Sequence, residues 1–453
     1  MIDKLNRRDF LGAAAGSVAA ATAIEVGAAT RAADRPNVIF ILADDLGYGD
    51  LSCYGRPDYE TPVLDRLASQ GMKFMSAYSA APVCTPTRCA FITGRYPQRF
   101  EVGLQEPLSL TSPEVGLPAE QPTVASSMRA AGYSTALIGK WHLGWRAEYR
   151  PRRFGFDEFF GSLSGSVDYF THIAADAARA FGSEVLPDLW ENDTPIERDG
   201  YLTDLFTERA VEYVSRPHSQ PFYLSLHYTA PHSPWEGPND AGVDHADHGA
   251  GPMTAGGSLA AYGEMMRGMD AGIGRVLAAL RRARLERNTL VIFTSDNGGE
   301  RYSFNWPFSF QKLYLWEGGI RVPAIVRWPG VVAANSVTEQ AVITMDWTAT
   351  ILAAAGATPA AAQPLDGESL LPVLRGERAV YDRALFWRTQ TREGARLGQW
   401  KYVRDANQDH LYDLAVDLGE KTNLKDREPA VFTDLKRRHA AWAAEMLPRP
   451  PPA

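Results

Sequence analysis

The chain is poor in cysteine, and its three thiols, Cys53, Cys84 and Cys89, are too odd a number to pair completely. Neither a C-x-x-C unit nor a thioredoxin-like context surrounds them, which argues against a thiol redox role. Whether Cys53 and Cys89 are bonded or simply buried is left open by their spacing. No segment beyond the first thirty residues offers about 18 uninterrupted apolar positions, so no membrane span is expected in the mature chain. Cations are in deficit, with 46 Lys and Arg against 54 Asp and Glu and a net charge of −8. That balance argues against nucleic acid as a partner, and any basic site must be built locally from converging side chains. Internal repeats and low-complexity domains are also lacking. What remains is a 453-residue chain of ordinary globular composition, long enough for a large α/β core and a smaller domain.

The first residues stand apart from that composition. Asn6-Arg7-Arg8-Asp9-Phe10-Leu11 precedes a weakly hydrophobic Ala/Gly stretch reaching about Ala29, and so resembles a twin-arginine export signal. Residues 1–33 are therefore expected to be a signal peptide cleaved between Ala28 and Ala33, and the protein to be periplasmic or secreted. Its loss removes Lys4, Arg7, Arg8 and Arg31 but only Asp3, Asp9 and Glu25, leaving the mature chain more acidic still.

Apolar runs alternate with helical patterns, which predicts a mostly parallel α/β sheet. Four runs end in polar clusters. Residues 37–43 end in Asp44-Asp45, and 135–139 end in Lys140-Trp141-His142. Residues 222–228 run into Pro231-His232, and 290–295 end in Asp296-Asn297-Gly298-Gly299. Ligands of open α/β sheets bind outside the carboxyl ends of strands, so these segments are expected to meet at one edge. Asp44, Asp45, Asp296 and Asn297 are hard oxygen donors, and burying three carboxylates together calls for a divalent cation. Ligation by oxygen without thiolate favours calcium, with magnesium second, over zinc. Lys140 and His142 alternate and are expected to point the same way from an extended segment. Pro231 and Pro234 stiffen the turn around His232.

Cys84-Thr85-Pro86-Thr87-Arg88 reads as an anion site opening a helix. Pro86 suits the first turn, and Gly94 suits the position just past the last. Free N–H groups at that terminus favour negative charge, and Arg88, a turn further on, adds a guanidinium fork. Such a site holds an oxyanion beside a sulfur nucleophile.

This pentapeptide, followed by Thr-Gly-Arg, resembles the signature of the type I sulfatases of the alkaline phosphatase superfamily, the arylsulfatase-like enzymes whose cysteine is converted to formylglycine. The resemblance extends in the same order to Asp-Asp-Leu-Gly-Tyr-Gly-Asp, Gly-Lys-Trp-His-Leu-Gly, Pro-His-Ser-Pro, Ser-Asp-Asn-Gly and Glu-Gly-Gly-Ile-Arg-Val-Pro, the last beginning five residues after Lys312. Gly398-Gln-Trp-Lys-Tyr402 with Leu411-Tyr-Asp-Leu414 is similar to the family's C-terminal sheet, so the likeness covers roughly residues 36–424. Thr87 stands where Ser or Ala is also common, and Asp417-Leu418 replaces a frequent Asp-Pro.

The resemblance implies hydrolysis of an aryl or carbohydrate sulfate to alcohol and inorganic sulfate. A sulfate monoester repels nucleophiles, so its oxygens need neutralising by Lys140, Lys312, Arg88 and the metal. Cys84 becomes an aldehyde, hydrated to a geminal diol beside the metal; one hydroxyl attacks sulfur and the other later expels sulfate, sparing a second displacement. Carried over by position, His142 is the base of that elimination, while His232 with Lys312 protonates the leaving oxygen. Asp44, Asp45, Asp296 and Asn297 join residue 84 around the metal; Asp296 assists the first deprotonation and Arg88 holds the diol. A formylglycine-generating enzyme and the twin-arginine export machinery are implied partners.

Two other functions compete. A phosphomonoester or phosphonate monoester hydrolase of the same superfamily shares the tetrahedral anion, although a dianionic phosphate favours a second metal for which no further His/Asp set is evident. A catalytically silent protein binding sulfated ligands would lack conversion of the cysteine. The expected fold is an alkaline-phosphatase-like α/β/α sandwich over residues 34–375, with a C-terminal domain over 376–453 containing a small antiparallel sheet, a helix near 430–446 and an unstructured end from Pro448 to Ala453. Helix 260–284 reads as core packing, and Asp244-His245-Ala246-Asp247-His248 as a surface loop or lid rather than a metal site. Trp145, Trp235, Phe304, Trp306 and Trp316 could stack on a substrate ring or belong to the core.

Overall fold

Alternation along one wholly buried, largely apolar strand sets up the layers. The computed structural model describes residues 35–174, 186–240, 257–359 and 363–450, and β1 (Asn37–Ala43) is buried throughout its length. Ile39, Ile41 and Ala43 share one apolar cluster with Phe206 from helix Leu202–Ser215 and Met265, Met269 and Ile273 from helix Leu259–Arg282. Val38, Phe40 and Leu42 share another with Phe91 from helix Cys84–Thr93 and Trp347 and Ile351 from helix Thr344–Ala355. A strand buried on both faces needs helices on both faces, and the result is an α/β/α sandwich.

The large sheet runs, in spatial order, β10 (Ser336–Thr338), β2 (Met72–Tyr78), β9 (Arg321–Arg327), β8 (Thr289–Ser295), β1, β7 (Phe222–His227), β3 (Ser134–Gly139), β4 (Glu158–Gly161), β5 (Trp190–Glu191) and β6 (Thr194–Pro195), with β11 (Val342–Ile343) beside β2. Its centre is parallel, while β9 runs against both β8 and β2. Leu42 pairs with His227, Ala43 with Ser295, and Gly139 with His227. Those registers level the carboxyl ends of β1, β3, β7 and β8, so their four polar clusters leave from one edge.

A second sheet, β12 (Ala384–Arg388), β13 (Glu393–Leu397), β14 (Trp400–Asp405) and β15 (Gln408–Asp413), is antiparallel with neighbouring strands consecutive in sequence. Helix Pro429–Ala443 covers it through Leu435, which packs with Tyr402 and Leu411. Leu385, Trp387 and Val403 of this sheet join Tyr78, Trp316 and Met345 of the large layer in one apolar cluster.

Helix 260–284 is displaced by one or two residues, to Leu259–Arg282, and its methionines are core as expected. The expected lack of structure from Pro448 is corrected in part: Arg449 is held by the Thr389 carbonyl at 3.1 Å and the Glu393 carboxylate at 3.0 Å. Residues 1–33 and 244–248 lie outside the described residues. Cys53 and Cys89 are unbonded, the first half-buried and the second buried. No described helix is long and apolar enough to cross a membrane.

Candidate active site

Val83 is extended (φ −157°, ψ 154°), Cys84 opens the helix, and Gly94 at φ 67° ends it. Two threonines of the motif tie this helix down. The Thr87 hydroxyl accepts from the Ala81 N–H at 3.1 Å and donates to the Ala81 carbonyl at 3.0 Å, closing the approach to Cys84. Thr85 Oγ1 accepts from the Leu108 N–H at 3.1 Å. Cys84 itself is 2 % exposed. Burial raises its thiol above the ordinary range, outweighing the Lys140 charge that pulls it down. An unmodified Cys84 is therefore a protonated thiol at neutral pH, which is a poor nucleophile.

The strand ends supply charge around it. Asp44 is fully buried; Lys140 donates to its Oδ2 at 2.5 Å, and Arg88 Nη2 lies 3.4 Å from the same atom. Burial alone would raise this carboxyl, but the Lys140 and Arg88 charges hold it well below the usual range. Lys312 donates to Asp45 Oδ2 at 2.7 Å, and its charge lowers Asp45 against the same burial cost. Arg88 forks onto Asp296 Oδ2 through Nε at 3.0 Å and Nη2 at 2.8 Å, while Asp296 Oδ1 accepts from the Asp45 N–H at 3.1 Å. Burial, and after it the Asp44 charge, still pushes Asp296 up to about 7.

The extended path expected for residues 140–142 is not what forms. Gly139 turns to φ 113° and His142 to φ 58°, so the strand breaks at its last residue and the histidine sits in the left-handed region. Asp45, at φ 61°, is strained in the same way. Strain of this kind persists where surrounding contacts over-determine the backbone. For His142 one such contact is its Nε2–H, donated to the Leu108 carbonyl at 2.9 Å. The bond leaves Nδ1 as the lone-pair nitrogen, buried and without a partner among the described residues. Burial, reinforced by Lys140, holds this imidazole well below its ordinary pKa. His232 has the opposite tautomer. Its Nδ1–H bonds the Ser233 carbonyl, and Nε2 faces Lys312 Nζ at 3.3 Å. Burial lowers it to about 4, so both imidazoles are neutral at pH 7.

Asp44, Asp45, Arg88, Lys140, His232, Asp296, Asn297 and the half-buried Lys312 are thus joined by hydrogen bonds and ion pairs, and Cys84 and His142 are buried within the influence of the same charges. The test of a metal is what the oxygens still lack. Asp44 Oδ1 and Asn297 Oδ1 are buried and have no hydrogen-bond partner among the described residues. Leaving such atoms unsatisfied costs about 1–3 kcal/mol each, more when charged. Ligand atoms of Asp44, Asp45 and His232 lie within 4.8 Å of one another. Asn297 Nδ2 donates to Asp45 Oδ1 at 2.7 Å, which turns its own oxygen away from that bond. The donor set of Asp44, Asp45, Asp296 and Asn297 fits a hard divalent cation.

Several contributors were not singled out from the sequence. The Leu108 carbonyl sets the His142 tautomer from a segment 34 residues away. His227, buried beneath the site, bonds Ser225 Oγ through Nε2 at 2.8 Å and donates Nδ1–H to the Lys140 carbonyl at 3.2 Å, which Arg88 Nη1 also reaches at 2.9 Å. Glu300 Oε2 stands 3.8 Å from Lys312; its place directly after Ser-Asp-Asn-Gly-Gly was the available clue. Of the five aromatics, Trp235 and Trp316 are core and Trp145 and Phe304 partly buried, whereas Trp306 is 66 % exposed and stacks on Phe304 at 6.2 Å. A cavity of about 800 Å³ beside Tyr54, Phe308, Arg321 and Arg396 is lined by none of the predicted site residues.

Residues 36–357 match the family model described as Sulfatase, and residues 305–442 that of N-sulphoglucosamine sulphohydrolase, C-terminal. N-acetylgalactosamine-6-sulfatase of Mus musculus is 35% identical over 392 residues, covering 82% of this chain and 72% of that protein. Arylsulfatase J of Mus musculus is 30% identical over 485 residues, covering 94% and 79%. The crystal structure of Ps i-CgsB in complex with k-i-k-neocarrahexaose has a TM-score of 0.79 and 30% identity, covering 90% of this chain and 92% of that one.

Proposed function

The chain belongs to the sulfatase family of the alkaline phosphatase superfamily and hydrolyses sulfate esters, and from that premise we propose that it desulfates a carbohydrate, using residue 84 as formylglycine and calcium held by Asp44, Asp45, Asp296 and Asn297. The observation that carries the formylglycine reading is the Cys84 thiol itself, buried and raised in pKa at the centre of the site. A thiol in that state has little nucleophilic use, whereas a hydrated aldehyde there offers one hydroxyl for attack and a second from which sulfate is expelled. The carbohydrate reading is supported by the relatives, one named for N-acetylgalactosamine-6-sulfate and one solved with a bound hexaose.

Calcium supplies positive charge to the nucleophile and to a sulfate oxygen when bound. Asp44, Asp45 and Asp296 face Lys140, Lys312 and Arg88, so these side chains nearly compensate one another. A divalent cation then leaves an excess of positive charge in a dry site, which favours an anionic ester. His142 Nδ1, neutral and without a partner among the described residues, is suited to take a proton from the oxygen nucleophile's second hydroxyl. Lys312, hydrogen-bonded to neutral His232, holds the proton required by the departing oxygen: the S–O bond breaks, its electron pair stays on the alcohol, and the proton follows. Export in folded form, which the Asn6-Arg7-Arg8 segment supports, requires conversion of Cys84 before translocation into the periplasm or medium.

The tryptic peptide Phe74–Arg88 from active protein tests the central step. Its mass is expected to show sulfur replaced by an aldehyde oxygen at residue 84. A peptide carrying only thiol, from protein that turns over, would refute the formylglycine mechanism. Turnover of N-acetylgalactosamine 6-sulfate against 4-nitrophenyl sulfate tests the substrate class, and preference for the aryl ester would overturn the carbohydrate reading.

A further inference from the structure

The turn Glu317-Gly318-Gly319 lies beneath two parts of the site at once. The Gly298 N–H, next to Asn297, donates to the Gly319 carbonyl at 3.0 Å, and a Cβ on Gly298 would fall 2.0 Å from the Gly318 carbonyl. On its other side the turn meets the loop that carries Lys312. The Gly318 N–H donates to Ser309 at 2.9 Å, and a Cβ on Gly319 would fall 2.0 Å from the Tyr314 carbonyl. Contact this close is backbone against backbone, so a shift in the turn moves both segments.

What anchors the turn comes from the small sheet. The Glu317 carboxylate is fully buried and accepts from Lys401 Nζ at 2.8 Å, Arg321 Nη1 at 3.0 Å and the Tyr78 hydroxyl at 2.6 Å. Lys401, on β14 and also fully buried, lies 2.8 Å from Glu420 Oε1 as well, and Glu420 Oε2 accepts from the Glu317 N–H at 2.7 Å. Lys401 is thus the cation between two buried carboxylates. Removing it takes the cation from Glu420, which then faces a Glu317 still paired with Arg321, and at least one carboxylate must move or take a proton.

We propose that Lys401 is a positioning residue for sulfate ester hydrolysis, holding Lys312 and the Asn297 loop in register through Glu317. The C-terminal sheet is then part of the catalytic scaffold rather than an appended module. The inference rests on Lys312 as the acid for the leaving oxygen. A displaced acid matters most when the leaving group is poor, whereas partial unfolding lowers turnover of all esters alike.

The test compares phenyl sulfate with 4-nitrophenyl sulfate in Lys312→Ala, Lys401→Met and Lys401→Arg enzymes. Lys312→Ala and Lys401→Met are both expected to lose about tenfold or more extra kcat/KM on phenyl sulfate, the poorer leaving group, with Lys401→Arg recovering most of it. An equal loss on both esters in Lys401→Met, beside a leaving-group-dependent loss in Lys312→Ala, would overturn the role of Lys401 alone. Absence of leaving-group dependence in Lys312→Ala would overturn the acid role of Lys312 and the inference with it. Should Lys401→Met not fold, Glu420→Gln keeps the Lys401–Glu317 pair while weakening the anchor. A smaller loss biased toward phenyl sulfate supports the proposal, and an unbiased or absent one refutes it.

Discussion

Asp296 lies fully buried between the Arg88 guanidinium and the backbone of Asp45, and burial, then the Asp44 charge, raises its carboxyl to about 7. An acid raised above its unfolded value favours the folded state below that value and loses this contribution as pH climbs through 7. Calcium held as proposed would reverse the preference, because it requires the ionised form. Apparent calcium affinity, read from the rise in Tm on titration, is therefore expected to be weaker at pH 5.5 than at pH 8; equal affinity at both would contradict the assignment of Asp296. Asn297→Ala removes an oxygen that is buried without a partner among the described residues, and is expected to weaken the same calcium response about tenfold, or ~1.4 kcal/mol. Chelator should lower the Tm of the parent protein but leave that of this variant much less changed. The acids were legible because each ends an apolar run. His227 and the Leu108 carbonyl were not, since a buried histidine and a main-chain oxygen look the same in sequence whatever they touch.

Among the elements, β3 bears most directly on the site. It ends in Gly139 at φ 113°, where a Cβ would lie 1.8 Å from the His227 carbonyl. Alanine there must adopt a left-handed backbone, costing about 1–2 kcal/mol, and meets rigid backbone besides. Gly139→Ala is expected to lower Tm and abolish turnover together, because Lys140 and His142 follow directly; wild-type activity in this variant would show that the strand end tolerates the shift. Helix Leu259–Arg282 provides the contrast. Met269 is fully buried in the core cluster, so Met269→Ala should cost about 2–5 kcal/mol while leaving kcat per folded molecule unchanged. A selective fall in kcat would give this helix a role beyond packing. Strands were readable as continuous apolar runs and helices from a period of 3.6, with ends matching or off by up to three residues. The break after Gly139 was not readable, because residues 140–142 alternate as a continuing strand would, and it takes tertiary contacts to set their path: the 139–227 approach, the His142 bond to Leu108, and backbone bonds from Trp141 to Ser162 and His142 to Leu163.

Over the whole molecule, the two sheets share a core. Leu385 and Trp387 pack with Tyr78 and Trp316, and the Lys401–Glu317 pair crosses the same boundary. The family resemblance divides the chain at 34–375 and 376–453, and these contacts between the two parts lead us to expect a single cooperative calorimetric transition. Two resolved transitions would show that the sheets unfold independently. From the sequence alone came the class of fold, the family, and the set of acids, bases and cations, because apolar periodicity marks strands and the motifs follow strand ends in a fixed order. Tertiary structure decided the rest: which histidine nitrogen carries its proton, which side-chain oxygens are left for a cation, and which distant lysine braces the site. Those are properties of contacts between segments up to 267 residues apart in the chain, and only folding, which sets register and desolvates charges together, determines how such groups meet.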